Sequence, residues 1–324
     1  MNRSRFLIII TAFVITNFTC LAQADTAFWF AAPDISSDFN YDRPVVFRIT
    51  SRNLSCNVTI SQPAGGGMPV QTLSLAPNTT QTFDLTPWLT SIECGPGNLV
   101  QNKGLKIKSD NKISVYYEVN VGGPNPEIFA LKGQNALGNQ FLISSQYFLS
   151  NSSTYTPRPY SSFNIVATED NTQVTINPSQ PIIGHAANTP FTIVLNKGQT
   201  YAAIATSQSK TAHLQGSAVS STKPVAVTLA DDLLSGAEYG GICADLAGDQ
   251  TVPVSVIGTE YIAFKSNLNN PSDKLYITAV QNGTTVTQDG VAITTLSAGQ
   301  SAELSIINNI SYVQTSLPAY AYQL

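Results

Sequence analysis

A 14-residue pattern recurs three times along the chain: FRITSRNLSCNVTI from Phe47, FNIVATEDNTQVTI from Phe163 and LYITAVQNGTTVTQ from Leu275. Each copy opens on an apolar-x-Ile start and closes near a Val-Thr pair at the same distance, as two short strands joined by a tight turn would. A strand such as FWFAAP, FLISSQ or YIAFKS precedes each copy, and a second recurring element follows it: KSDNKISVYYEV, SSTKPVAVTLAD and TSLPAYAYQL. The copies start about 115 residues apart. That is domain spacing, too long for a solenoid repeat.

The expected fold is therefore all-β, with three related antiparallel sandwich-like modules in tandem at residues 25–122, 123–246 and 247–324. The alternative is one continuous β-body with propeller-like symmetry, because the third module is short. Composition agrees with strands. Only 11% of residues are charged, 43% are hydrophobic, and the chain holds 21 Gly and 18 Pro. No stretch has the Glu- and Lys-rich outer face of a long helix. In the middle copy, Phe163, Ile165, Val174 and Ile176 alternate toward a core, and Glu169-Asp170-Asn171 supplies the turn. Lys197-Gly198-Gln199 and Ala298-Gly299-Gln300 mark matching reversals.

Residues 1–24 read as a signal peptide. Arg3 and Arg5 give a basic start, residues 6–18 an apolar stretch, and Ala22-Gln23-Ala24 a cleavage site. No later stretch approaches the roughly 20 apolar residues of a membrane span. The expected protein is exported, either secreted or held at the cell surface. Its net charge of −4 and lack of a Lys/Arg cluster exclude nucleic acid as a partner. Export makes a disulfide possible, and Cys56 with Cys94 is the expected pair, worth on the order of 3 to 4 kcal/mol. Cys243 is then odd, and the other two pairings stay open.

Two clusters are candidate sites. Asp231, Asp232, Glu238, Asp245 and Asp249 crowd a Gly-rich stretch and could supply oxygens to calcium, although their spacing is not that of an EF-hand. The ordinary explanation is that such residues cap turns and end strands. Around the loop TYTPRPYSS, Tyr155, Arg158 and Tyr160 form a ligand-binding candidate, since Tyr and Arg on loops suit recognition of proteins and sugar rings; the ordinary alternative is that the tyrosines cover the edge of a core. A hydrolase is not expected: His185 and His213 are isolated, and no G-x-S-x-G elbow occurs.

The runs LKGQNALGNQFLISSQ, FNIVATEDNTQVTI, LNKGQTY, LQGSAVSSTKPVAVTLADD and GGICADLAGDQTVPV, in that order, resemble the N-terminal domain of the IgG Fc-binding protein family. That domain occurs in a mucus-associated animal glycoprotein and in secreted or surface proteins of bacteria, particularly Bacteroidota. The resemblance spans most of residues 28–324 and is densest over 131–261. It implies an extracellular binding or adhesion module without catalytic residues; the expected partner of such a module is an extracellular glycoprotein or glycan. The other expectation is a structural component of a surface layer, acting by self-association through exposed strand edges.

Overall fold

The computed structural model describes residues 24–37, 43–123, 126–236, 244–266 and 273–324. The signal segment up to residue 23, Glu238 and Cys243 lie outside the described residues. The fold is all-β, with several sheets and, among the described residues, one short α-helix, α1 (Leu89–Ile92), besides single 3-10 turns.

The first block of strands comprises β1 (Asp25–Phe30), β2 (Ala32–Pro33), β3 (Val45–Ser51), β4 (Cys56–Ser61), β5 (Gln71–Leu75), β6 (Thr80–Asp84), β7 (Glu93–Cys94), β8 (Val100–Gln101), β9 (Leu105–Val119) and β10 (Glu127–Ala130). The second comprises β11 (Gly138–Leu142), β12 (Ser150–Asn151), β13 (Ser161–Ala167), β14 (Thr172–Asn177), β15 (Phe191–Leu195), β16 (Thr200–Ile204), β17 (Ala218–Ser235) and β18 (Asp245–Gln250). The third comprises β19 (Glu260–Phe264), β20 (Lys274–Ala279), β21 (Thr284–Gln288), β22 (Val291–Leu296), β23 (Ser301–Ser305), β24 (Ile310–Thr315) and β25 (Ala319–Gln323).

The long strands organise the first two blocks. Residues 105–109 of β9 pair with β1 and β4, and residues 113–119 pair with β3. In the same way, β17 pairs first with β11 and β14 and then, from Val225, with β13. The strand turns from one face of the core to the other between these halves, at Asp110-Asn111-Lys112 and at Thr222-Lys223-Pro224. Proline cannot donate a ladder hydrogen bond, so Pro224 suits the bend. In the third block the bend becomes a break at Ser316-Leu317-Pro318: β24 pairs with β19 and β21, and β25 pairs with β20. The two large sheets thereby wrap round their long strands into nearly closed barrels.

Turn chemistry fixes the register. The reversal into the strand beside β3, β13 and β20 needs a left-handed residue each time, filled by Asn78 (φ 54°), Gly198 (φ 80°) and Gly299 (φ 82°). The alternation read in the middle hairpin is what the structure has: Phe163, Ile165, Val174 and Ile176 are all fully buried in one cluster.

The blocks share sheets and cores. Strand β8 adds to the second block through Tyr201 and Thr200. Strand β18 crosses residue 246 while paired with β17, and its Leu246 joins Ala230 and Phe129 in the core of the first block. A smaller cluster of Trp29, Ala31, Cys94, Val166, Ala202 and Ala226 seals the first block to the second.

The expected Cys56–Cys94 disulfide is corrected. Both cysteines are buried and free. Cys56 begins β4 and faces the core of the first block, whereas Cys94 lies in the cluster between blocks. Sequence separation made the pair inexpensive to close, but the two strands turn their side chains into different cores.

Candidate functional site

A cavity of about 60 Å³ opens where the first two blocks meet, lined by Asp34, Cys94, Arg158, Tyr160 and Asp232 among others. Strand β2 runs parallel to β7 and delivers Asp34 and Ser36 to it. The loop between β12 and β13 brings Arg158 and Tyr160, and the far end of β17 brings Asp232. Three hydrogen bonds tie these segments together. The Ser36 amide donates to an Asp232 carboxylate oxygen at 2.9 Å, the Ser36 hydroxyl donates to the Pro157 carbonyl at 2.6 Å, and the Asp232 amide donates to the Tyr160 carbonyl at 3.4 Å.

Charge is concentrated beneath this cavity. Desolvation raises the Asp34 carboxyl above its ordinary value, with Lys103 and Arg43 pulling the other way. Glycine at position 95 lets β7 close on that carboxylate, since a Cβ there would stand 1.9 Å from it. Glu93 is buried and pushed up to about 7 by desolvation, against the pull of Arg43 3.4 Å away. The Lys103 ammonium donates to the carbonyls of Glu93 and Gly95 at 2.7 and 3.0 Å. Burial pushes the Cys94 thiol up to about 12, so it stays protonated and unreactive. The arrangement offers two carboxylates, a guanidinium and a phenol to a ligand, which is recognition chemistry.

The structure therefore joins parts of both sequence candidates. Arg158 and Tyr160 line the cavity, and Tyr155 does not. Of the described members of the acidic set, Asp232 alone lines it, and Glu238 lies outside the described residues. Asp231, next along β17, points to the opposite face, where Ser145 donates to it at 2.6 Å and His213 Nδ1 lies 3.5 Å away. Asp245 pairs in register with Leu234, and Asp249 binds the Lys132 ammonium. Strand alternation and the length of β18 disperse them. Among the described residues no three His, Cys, Asp or Glu side chains are grouped to hold a metal ion.

His213 is fully buried. Burial alone would lower its pKa, but the Asp231 carboxylate outweighs this and holds it above the ordinary value; burial tends to raise Asp231, and His213, Ser145 and Ser161 hold it below. The Ser145 hydroxyl donates to the acid and not to the imidazole, so the order of a nucleophilic triad is missing. Asp34 and Ser36 carried no sequence signal, and Cys94 was read only as a disulfide partner, because they meet the loop only through the packing of two blocks.

No helix among the described residues is long and apolar enough to cross a membrane. A family model described as IgGFc binding protein matches residues 129–324. No curated protein matches the chain. Among solved structures, a β-glucuronidase of Bacteroides uniformis aligns at 13% identity and a TM-score of 0.16, over 76% of this chain and 27% of that one. At that score the alignment carries no argument.

Proposed function

The chain belongs to the IgGFc-binding protein family, and from that membership we propose that it is an exported, non-catalytic binding protein that recognises an extracellular glycoprotein or glycan. The observation that carries the reading is the cavity between the first two blocks. There, Arg158 and Tyr160 line the same cavity as Asp34 and Asp232. Carboxylates accept hydrogen bonds from sugar hydroxyls, guanidinium donates to carbonyl and carboxylate oxygens, and a phenol ring gives a flat apolar contact. A cavity of about 60 Å³ admits a single substituent, so the remainder of a ligand would lie across the loop of residues 154–162.

The recurring pairing around β9, β17 and β24–β25 supports tandem β-sandwich modules as the underlying plan, with 25–122, 123–246 and 247–324 as working divisions. Strands β8 and β18 reach across to neighbours and would hold the site rigid. A binding site built at a junction of packed sheets is preorganised, which favours affinity.

The test is capture from mucus and serum with the purified chain, an unrelated β-sandwich as control, and mass spectrometry as the readout. Enrichment of a mucin or an immunoglobulin supports the proposal and gives the partner class. Recovery of nothing beyond the control, from a chain that elutes as a large oligomer, would favour a structural component of a surface assembly instead.

A further inference from the structure

We propose that the outer face of β19 and β24 is a self-association surface, occupied by the same face of a second copy of this chain about a twofold axis. Alternation points Ala263 and Val313 into the third core and leaves Ile262, Phe264, Ile310 and Tyr312 outside, at 63, 60, 55 and 38% exposure. The register sets Ile262 opposite Tyr312 and Phe264 opposite Ile310. The four side chains therefore form one apolar patch, bounded at one end by the Glu260–Gln314 pair. A patch of this kind on a protein surface is usually an interaction site.

The earlier blocks show what this fold does with a face in that position. In the first block the outer side of β1 carries Trp29, which is 6% exposed because Val166, Ala202 and Ala226 of the second block cover it. In the second block the segments following β11 and β18 are covered in turn. Ser144 bonds Thr278 at 3.0 Å, Tyr147 packs on Tyr276 at 5.1 Å between ring centroids, and the Tyr320 hydroxyl donates to the Val252 carbonyl at 2.7 Å. Each covering face is the outer side of the sheet built on β13 or β20. The third block continues the series with an apolar face and nothing upon it among the described residues.

The occupant follows from the matching face of the first block. A head-to-tail copy would present the outer side of β3 and β6, and that side is polar. Arg48 forks onto Glu118 at 2.6 and 2.7 Å, and Thr50 meets Thr80 at 2.9 Å. Burying those groups against Ile262 and Phe264 would strip their hydration without return. Like-to-like packing of the apolar face has no such penalty and closes the assembly at two copies. Strands of five and six residues give a face only about 20 Å long, so the pair belongs to the small, weak class of interfaces with a micromolar dissociation constant.

Sedimentation velocity of the purified chain from about 1 to 200 μM tests this, alongside Phe264→Glu, Ile310→Lys and, as control, Thr82→Glu on the outer face of the first block. The expected result is a concentration-dependent dimer for the wild type and Thr82→Glu, and at least about tenfold weaker association for the other two, with unchanged thermal melts. A monomer throughout the range, a dimer that survives both apolar-face substitutions, or open-ended growth beyond two copies would overturn the proposal. None of these outcomes depends on the ligand of the junction cavity.

Discussion

Glu93 makes the clearest case for what a single buried group does to this molecule. Its carboxyl titrates near 7 in the fold, against an ordinary value of 4.5, because burial penalises the charge more than Arg43 relieves it. A folded pKa above the unfolded one means that the native state holds its proton more tightly. The contribution is fully present below about 4.5 and is lost as pH rises through 7. Glu127, also raised to about 7 by burial and by Asp245 and Asp249, acts in the same direction. His213, raised by Asp231, adds a loss above its unfolded value near 6.5. The melting temperature is therefore expected to fall between pH 5 and pH 8. Glu93→Gln should stabilise the chain at pH 8 by on the order of 2 kcal/mol and leave pH 5 nearly unchanged. Asp231→Ala would strand the buried His213 and should cost about 3–5 kcal/mol near neutral pH. Denaturant titrations at the two pH values check both.

At the scale of the strand, the contact of β18 with the first block depends on a missing side chain. A Cβ at Gly248 would stand 2.3 Å from the Leu229 carbonyl oxygen and 2.6 Å from the Phe129 ring. Gly248→Ala is expected to destabilise by about 1–3 kcal/mol, read as a lower denaturant midpoint with an unchanged slope. Strands of this kind were legible in the sequence where local chemistry decides them. The Phe163 and Val174 alternation and the left-handed positions at Gly198 and Gly299 are properties of neighbouring residues. The acidic cluster was not legible as a layout for a related reason. The Gly-rich run suggested one liganding loop, and among its described members Asp231 and Asp232 lie within β17, on opposite faces by strand alternation, while Asp245 and Asp249 lie within β18. Half of the cavity was equally hidden, because Asp34 and Ser36 reach Arg158 and Asp232 only through the parallel pairing of β2 with β7.

Across the whole molecule, shared strands and shared cores make the first two blocks one mechanical unit. Trp29 is the centre of that contact, with Lys106 Nζ 4.9 Å from its ring centroid on one side and the Val166–Ala202–Ala226 cluster on the other. Trp29→Ala should cost about 3–5 kcal/mol. It is also expected to split a single calorimetric transition into two, because the coupling between blocks would be lost. The binding role rests on the same junction, which both holds the blocks together and shapes the cavity. The most direct measurement is equilibrium binding of immobilised mucin glycoprotein to the wild-type chain and to Arg158→Ala and Tyr160→Ser, with melts run in parallel. Saturable binding that weakens at least about tenfold in both variants, at unchanged melting temperature, is the predicted result. Absence of saturable binding, or binding that both substitutions leave intact, would contradict it.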